Sequence, residues 1–217
     1  MTPSYHHGDL KPALLTYARE QLEQGNLDAL SMREMAKTIG VSHTAAYRHF
    51  TNKHALLDAV AVQGFEEMLE ACAVAVRHEE DVPRSMLKAC GLAYIRFGMT
   101  YPRLLAHMFS AASMPQASAA LGEAGARLFD MLLGLVSDGQ SRGAFRNGDT
   151  RQLAHACWAM VHGLSALLSI GAIKKSSSAN ADASLSSAQL ALDTFLNGLA
   201  ASCEPPTASG HDDGAAT

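Results

Sequence analysis

The segment Ser31–Lys53, SMREMAKTIGVSHTAAYRHFTNK, predicts two short helices on either side of a tight turn. Ser31 is a favourable N-cap, and Glu34 three residues later completes a capping box. Gly40 ends the first helix, because glycine readily adopts the left-handed conformation of a helix C-terminus. Ser42 can cap the second helix. A helix, a glycine-centred turn and a second helix that starts with small polar residues are typical of a helix-turn-helix, which places its second helix in the major groove of DNA.

Apolar residues at helical spacing predict further helices on both sides of this segment. The first covers residues 9–24, and a connecting helix runs from about 52 to 76. Boundary residues such as Pro, Gly, Asp and Ser delimit later helices at 83–100, 102–110, 115–142, 149–171 and 184–203. No alternating strand pattern of useful length occurs. The predicted fold class is all-α, with an N-terminal three-helix domain joined by a long helix to a C-terminal helical domain.

These elements divide the chain into two predicted domains and a tail. Residues 1–60 form the helix-turn-helix domain, and residues 61–203 form the second domain. Within the latter, the polar segment Lys174–Ala183 is expected to be a mobile linker. Residues 204–217, EPPTASGHDDGAAT, contain two prolines and little apolar surface to bury, so a disordered tail is expected.

The region from about Leu10 to Val60 resembles the DNA-binding domain of TetR-family transcriptional regulators. The residues that carry the resemblance are Leu30-Ser31-Met32-Arg33, Ala36, Gly40-Val41-Ser42, Tyr47-Arg48-His49-Phe50, Lys53 and Leu56-Leu57. The resemblance implies a homodimeric regulator, most often a repressor, that binds a palindromic operator in double-stranded DNA. The alternative is a generic three-helix domain that makes no DNA contact.

A second, shorter resemblance lies in the C-terminal half of the chain. Trp158-Ala-Met-Val-His162-Gly163 is similar to the Trp/His/Gly signature of one TetR-like C-terminal domain, and the segment from Tyr101 to Phe109 fits the same pattern. This resemblance implies a regulatory domain that responds to a small molecule.

The first resemblance also implies roles for individual residues. Base-contacting positions are Arg33, His43, Thr44 and Ala45. Phosphate-contacting positions are Ser31, Tyr47, His49 and Lys53; Ser42 completes the predicted DNA-binding set. Simple packing of Tyr47 and simple solvation of His43 are the alternatives. The segment Tyr5–Gly8 could contact phosphates or could be a free arm.

The distribution of charge limits how such a domain could bind DNA. The formal net charge is −4. Residues 1–60 contain six Lys/Arg and six Asp/Glu, and the remainder contains eleven basic and fifteen acidic residues. The first domain therefore lacks the broad basic patch of a nonspecific binder. Its affinity must depend on a few placed contacts, doubled by dimerisation.

Residues on the apolar faces of the later helices are candidates for an effector site. The predicted set is Phe65, Met68, Tyr94, Phe97, Met108, Trp158 and His162, with Cys72 as a further candidate. Ordinary core packing is the alternative for each, because methionine and aromatic stripes usually pack. His162 is the best candidate, since a polar group in an apolar helix must find a partner. The expected effector is small and hydrophobic.

Leu153–Ile173 has no Asp, Glu, Lys or Arg over 21 residues. That length could span a membrane, but two histidines and many small residues favour a helix buried partly by another subunit. The final helix offers apolar partner residues, Leu185, Leu192, Phe195, Leu196 and Leu199. We therefore expect a homodimer through the helices near 149–171 and 184–203, with no membrane span.

The remaining sequence features favour a binding protein over an enzyme. The four cysteines, Cys72, Cys90, Cys157 and Cys203, lack metal-site spacing and are expected to be reduced thiols of a cytoplasmic protein. We expect neither a metal nor a cofactor. Gly163-Leu-Ser165 lacks the closing glycine of a nucleophile elbow. The alternative function is a helical small-molecule-binding protein or enzyme that uses its N-terminal domain only structurally.

Overall fold

The structure is a computed structural model that describes residues 10–27, 30–172 and 181–200 of the 217-residue chain. Over these residues the chain is helical, with no strand. The helices are α1 Leu10–Gln24, α2 Met32–Ile39, α3 His43–His49, α4 Lys53–Arg77, α5 Pro83–Thr100, α6 Pro102–Ala112, α7 Ala119–Ser141, α8 Thr150–Ser169 and α9 Ala181–Leu199. The predicted all-α fold class is confirmed. The predicted arm at Tyr5–Gly8, residue Cys203 and the tail lie outside the described residues.

The ends of the helix-turn-helix are set by the residues that the sequence indicated. Ser31 Oγ accepts a hydrogen bond from the Glu34 amide at 3.1 Å, and Ser42 Oγ accepts one from the Ala45 amide at 3.2 Å. Gly40 ends α2 with a φ of +80°, in the left-handed region. Side chains thus satisfy amides that a helix N-terminus leaves without intrahelical partners. The turn fixes how α3 projects from the domain.

Helix α4 joins the helix-turn-helix to the rest of the chain without interruption. It contains 25 residues and is about 37 Å long at 1.5 Å per residue. Along it, Leu56, Val60, Phe65 and Met68 are all buried. One apolar cluster continues from α1 through α4 to α8, so the helix-turn-helix shares its core with the later helices. A second cluster forms around Phe145 where α5, α7, α8 and α9 meet.

Two helices begin elsewhere than the sequence predicted. Helix α7 begins at Ala119 rather than at 115, because Ser118 acts as its N-cap and accepts a hydrogen bond from the Leu121 amide at 3.3 Å. Helix α9 begins at Ala181, inside the segment expected to be a linker; residues 174–180 of that segment lie outside the described residues.

The apolar face of α9 was expected to contact a second subunit, but it packs within its own chain. Leu192, Leu196 and Leu199 are at most 4% exposed, because they pack within the same chain against α5 and the cluster around Phe145. They are not an exposed surface for a partner, and Phe195 is itself half-buried. The exposed large apolar residues in this region are instead Leu167 near the end of α8, Ile170 just beyond it, and Leu190 in the middle of α9.

Helix α8, which carries Arg151 in its first turn, does not have the properties of a membrane span. In the part of the chain that the structure describes, no helix is both long enough and apolar enough to cross a membrane.

Candidate DNA-binding surface and ligand cavity

Helix α3 and the start of α2 expose most of the predicted DNA-contacting side chains. Arg33, His43, Thr44, Tyr47 and His49 are all exposed, whereas Ala46 on the opposite side of α3 is fully buried. The rings of His43 and Tyr47 lie one turn apart with their centroids separated by 4.6 Å. The structure therefore places the rings of His43 and Tyr47 side by side, and we call the exposed side chains of α2 and α3 together the α3 surface.

Other members of the predicted set have structural partners. Ser31 and Ser42 are the N-caps described above. Ala45 is half-buried. The ammonium group of Lys53 donates a hydrogen bond to the Leu27 carbonyl oxygen, so this side chain ties the start of α4 to the loop after α1. Their contacts with DNA remain predictions.

The α3 surface also includes cations that the sequence analysis left out. Arg48 is exposed on α3, and Lys37 is exposed on α2. Neither forms an ion pair with a described residue. The sequence pattern predicts that Arg48 lies on the exposed face of the second helix, but the predicted DNA-contacting set does not include it.

A cavity of about 350 Å³ lies among α4 to α9. Of the predicted effector residues, Phe65, Tyr94 and Trp158 line it, as does Cys72. The wall is completed mainly by apolar residues: Leu87, Cys90, Gly91, Phe109, Ala112, Leu121, Gly125, Leu128, Phe129, Leu132, Cys157, Met160, Val161, Leu192, Phe195 and Leu196. Ser113, Gly122, Arg151 and His155 also contribute.

The other predicted effector residues lie behind the wall or away from it. Met68 and Met108 are fully buried core residues, and a Cβ on Gly64 would meet the Met108 sulfur at 2.6 Å. Phe97 packs on Tyr101 with ring centroids 5.3 Å apart. These three side chains support the cavity only through packing.

His162 lies one layer behind the cavity and fixes the orientation of a lining residue. Its Nδ1 lies 2.8 Å from the Tyr94 hydroxyl oxygen. Burial lowers the pKa of His162, so the imidazole is neutral near pH 7 and Nδ1 can accept the hydroxyl proton. Burial also raises the pKa of Tyr94, and the nearby indole N–H of Trp158 partly opposes that shift without reaching hydrogen-bond geometry. Tyr94 therefore donates its hydroxyl proton to His162.

Helix α8 supplies a polar edge that the sequence analysis missed. Arg151, His155 and Trp158 line the cavity at positions i, i+4 and i+7, which share one helix face. His155 stacks on Phe129 with ring centroids 4.8 Å apart. The i, i+4, i+7 spacing of these residues is present in the sequence, but Arg151 lies just before the charge-free segment 153–173 and was not among the predicted effector residues. Phe129 comes from α7, and only the folded chain shows that it meets these residues.

Three thiols, those of Cys72, Cys90 and Cys157, also line the cavity. Cys72 Sγ donates to the Cys90 carbonyl oxygen at 3.6 Å. The contact with Cys90 and burial raise the pKa of Cys72, and burial raises the pKa of Cys157 to about 11. Thiols with raised pKa values are poor nucleophiles. Cys72 and Cys157 therefore act as small apolar wall residues.

Helix α6 touches the cavity and also helices α1 and α4, which flank the helix-turn-helix. At its start, the Leu104 amide donates to Glu23 Oε1 at 2.9 Å, and Arg103 donates to the Glu23 carbonyl oxygen at 2.5 Å. His107 Nε2 lies 3.1 Å from the Leu57 carbonyl oxygen. At its other end, Phe109 lines the cavity. Any displacement of α6 by a ligand would therefore act on α1 and α4.

A second link joins α4 to the start of α7. Asp58 is 4% exposed, and its Oδ2 accepts a hydrogen bond from the Ser118 amide at 2.9 Å. Because Ser118 is also the N-cap of α7, a shift of α7 would disturb this contact.

Comparison with known proteins agrees with this geometry. A sequence pattern described as "Bacterial regulatory proteins, tetR family" matches residues 14–60, and one described as "Tetracyclin repressor-like, C-terminal domain" matches residues 87–194. The first match includes the helix-turn-helix, and the second includes Trp158 and His162. Together they cover both ends of the described fold.

Individual relatives extend the comparison. The Escherichia coli tetracycline repressor protein class A from transposon 1721 is 41% identical over 68 residues, which are 31% of this chain and 27% of that protein. The chain spans less than two thirds of the length of the curated relatives it matches.

Two solved structures are similar over most of their length. A protein of unknown function from Rhodococcus sp. RHA1 is 35% identical, with a TM-score of 0.80, over 92% of this chain and 100% of that one. The TetR-family regulator PfmR from Thermus thermophilus shares the fold at 19% identity, with a TM-score of 0.65 over 85% and 97% of the two chains. With both domain matches and the helix-turn-helix in place, the chain belongs to the TetR family of transcriptional regulators.

Proposed function

We propose that this chain is a repressor that binds a palindromic operator as a homodimer and is released by a small hydrophobic effector. The observation that carries the proposal is the pair of links, through α6 and through Asp58, between the helices around an apolar cavity and helices α1 and α4, which flank the helix-turn-helix. A ligand that alters the cavity would shift the helix-turn-helix domains of a dimer away from the spacing of about 34 Å between successive half-sites. A cytoplasmic location is part of the same proposal.

Helix α8 supports the homodimer part of the proposal. Its outward face carries the exposed small residues Ala156, Ala159, Gly163 and Ala166, and Ile170 beyond its end is 76% exposed. Small residues allow two helices to approach closely, and a face that pairs with its own copy fits a two-fold axis. We propose that α8, with the exposed side of α9 near Leu190, forms this contact.

The competing proposal is a helical binding protein or enzyme whose N-terminal domain is only structural. Regulators of this family are in general not enzymes. Tyr47 also favours the regulator, because a large aromatic side chain that is 41% exposed is available for contact with a partner.

Selection of bound sequences from a pool of random DNA duplexes tests the regulator proposal without knowledge of the operator. The full-length chain should enrich a two-fold symmetric sequence. Failure to enrich any sequence, together with weak binding to all duplexes, would contradict operator binding and favour the structural alternative.

Replacing Arg33 with Ala should weaken binding to the enriched site about 10-fold to 100-fold, with little change on a scrambled duplex. The reason is that one bidentate arginine–base contact contributes about 1–3 kcal/mol of discrimination. Gel-shift titration at fixed salt measures both affinities. Arg146→Ala is the matched control, since it also removes one exposed arginine but from the segment between α7 and α8. Equal losses on both duplexes would assign Arg33 to phosphate contact instead.

A further inference from the structure

Among the described residues that line the cavity, Arg151 is the formally charged one, and no acidic residue lines it. The guanidinium carbon lies 5.5 Å from the centroid of the Phe129 ring. Arg151 forms no ion pair with any residue in the described ranges. A guanidinium held against an aromatic ring keeps its edge N–H groups free, and these match a carboxylate with two parallel hydrogen bonds.

A second polar group in the cavity wall, the indole N–H of Trp158, lies about two helical turns after Arg151 on α8. The indole Nε1 of Trp158 is buried and has no hydrogen-bond partner in the part of the chain that the structure describes. A buried donor without an acceptor is costly, so a bound molecule that brings an acceptor atom gains a hydrogen bond at this point.

The spacing and the volume limit the size of the molecule. Arg151 and Trp158 are seven residues apart on α8, which is about 10 Å along the helix axis. The volume of about 350 Å³ is more than twice that of a cavity of about 150 Å³ that accepts benzene. The space therefore suits a fused two-ring body or a medium-length hydrocarbon chain.

We propose that the cavity binds an apolar monocarboxylic acid whose carboxylate pairs with Arg151 and whose hydrocarbon body extends along α8 towards Trp158. The inference rests on the proposed function in treating this ligand as the effector. Neutral thiols, aromatic rings and leucines surround the body, while the Arg151 guanidinium lies at the exposed start of α8. This arrangement selects for an acid over a neutral molecule of the same shape.

Direct binding to the full-length chain in the absence of DNA tests the inference. The probes are decanoate and 2-naphthoate, each compared with its neutral methyl ester. Trp158 is the single tryptophan, so its emission reports occupancy, and the thermal midpoint gives a second readout. Each acid should bind at least about tenfold more tightly than its ester, because hydrogen bonds to charged groups are the stronger ones. Tighter binding of naphthoate indicates a ring body, and tighter binding of decanoate indicates a chain body.

Arg151→Gln should reduce the preference for acid over ester to near unity while ester affinity stays unchanged, which also shows that the cavity is intact. Arg146→Gln is the matched control; Arg146 is exposed in the loop before α8 and does not line the cavity. Arg146→Gln should behave as the wild type. The inference is overturned if Arg151→Gln keeps the acid preference, if the wild-type chain binds esters as tightly as acids, or if neither acid binds at up to about 1 mM.

Release of the selected operator is measured separately. Acids that bind through Arg151 but leave the operator bound would contradict the effector role in the proposed function and leave the ligand class standing. Operator release by neutral compounds alone would support the proposed function and overturn the ligand class.

Discussion

Replacing Gly163 with Glu should yield a folded monomer whose operator binding is weakened at least about a hundredfold. Gly163 is exposed on α8, and no heavy atom outside its own helix lies within 4 Å of a Cβ built there. The chain itself can therefore accommodate the side chain, and glutamate favours a helix more than glycine does. At a two-fold contact between α8 helices, two carboxylates would be buried together. Loss of the dimer removes the linked second half-site, which contributes about 10²-fold to 10⁴-fold in affinity.

Sedimentation, far-ultraviolet circular dichroism and gel shift together measure this result. Gly134→Glu is the matched control, because Gly134 is exposed on α7 and also has open space around its Cβ position. That variant should remain dimeric and bind the operator. A Gly163→Glu chain that still sediments as a dimer would place the interface elsewhere.

Replacing Gly139 with Ala should lower the free energy of unfolding by about 3 kcal/mol, near the upper end for overpacked cores. A Cβ at this position would lie 2.0 Å from Cδ2 and 2.1 Å from Cε2 of Phe145, whose side chain is 2% exposed. The ring cannot easily withdraw, because the amides of Ala144 and Phe145 donate to the Gly139 carbonyl oxygen at 2.8 and 3.1 Å. For a chain of this size the melting temperature should fall by about 6–12 °C.

Urea titration followed by circular dichroism measures the change. Gly134→Ala provides the comparison on the same helix, and it should gain up to about 1 kcal/mol from helix propensity, because nothing obstructs its methyl group. Similar stabilities for the two alanine variants would mean that Phe145 relocates at little cost.

The parts of the fold that depend on neighbouring residues could be predicted from the sequence. Ser31 and Ser42 begin their helices and Gly40 ends one, each through hydrogen bonds to residues at most four positions away. Such local contacts can be predicted from the spacing of residue types along the sequence. The exposed positions of Arg33 and Tyr47 follow from the same local pattern. Their contacts with DNA stay predictions, since they depend on a molecule outside the chain.

The cavity could be predicted only in part, because its wall is made where distant helices meet. Apolar spacing indicates that Phe65, Met68 and Met108 are buried, but it does not separate a residue that lines a space from one that fills it. The same ambiguity explains α9. Leu192 was expected to face a second subunit but is buried within its own chain, because periodicity reveals that an apolar face is covered and not which chain covers it.

The continuity of α4 and the position of α6 have a consequence for domain exchange between regulators. A chimaera joined at residue 60 would separate the Leu57 carbonyl from His107 and Glu23 from Leu104, and would cut through a shared apolar core. The transplanted second domain would then meet a foreign surface at the positions through which we propose that its ligand acts. A working hybrid must carry α6 and the start of α7 from the donor of the helix-turn-helix, or must match those contacts residue by residue.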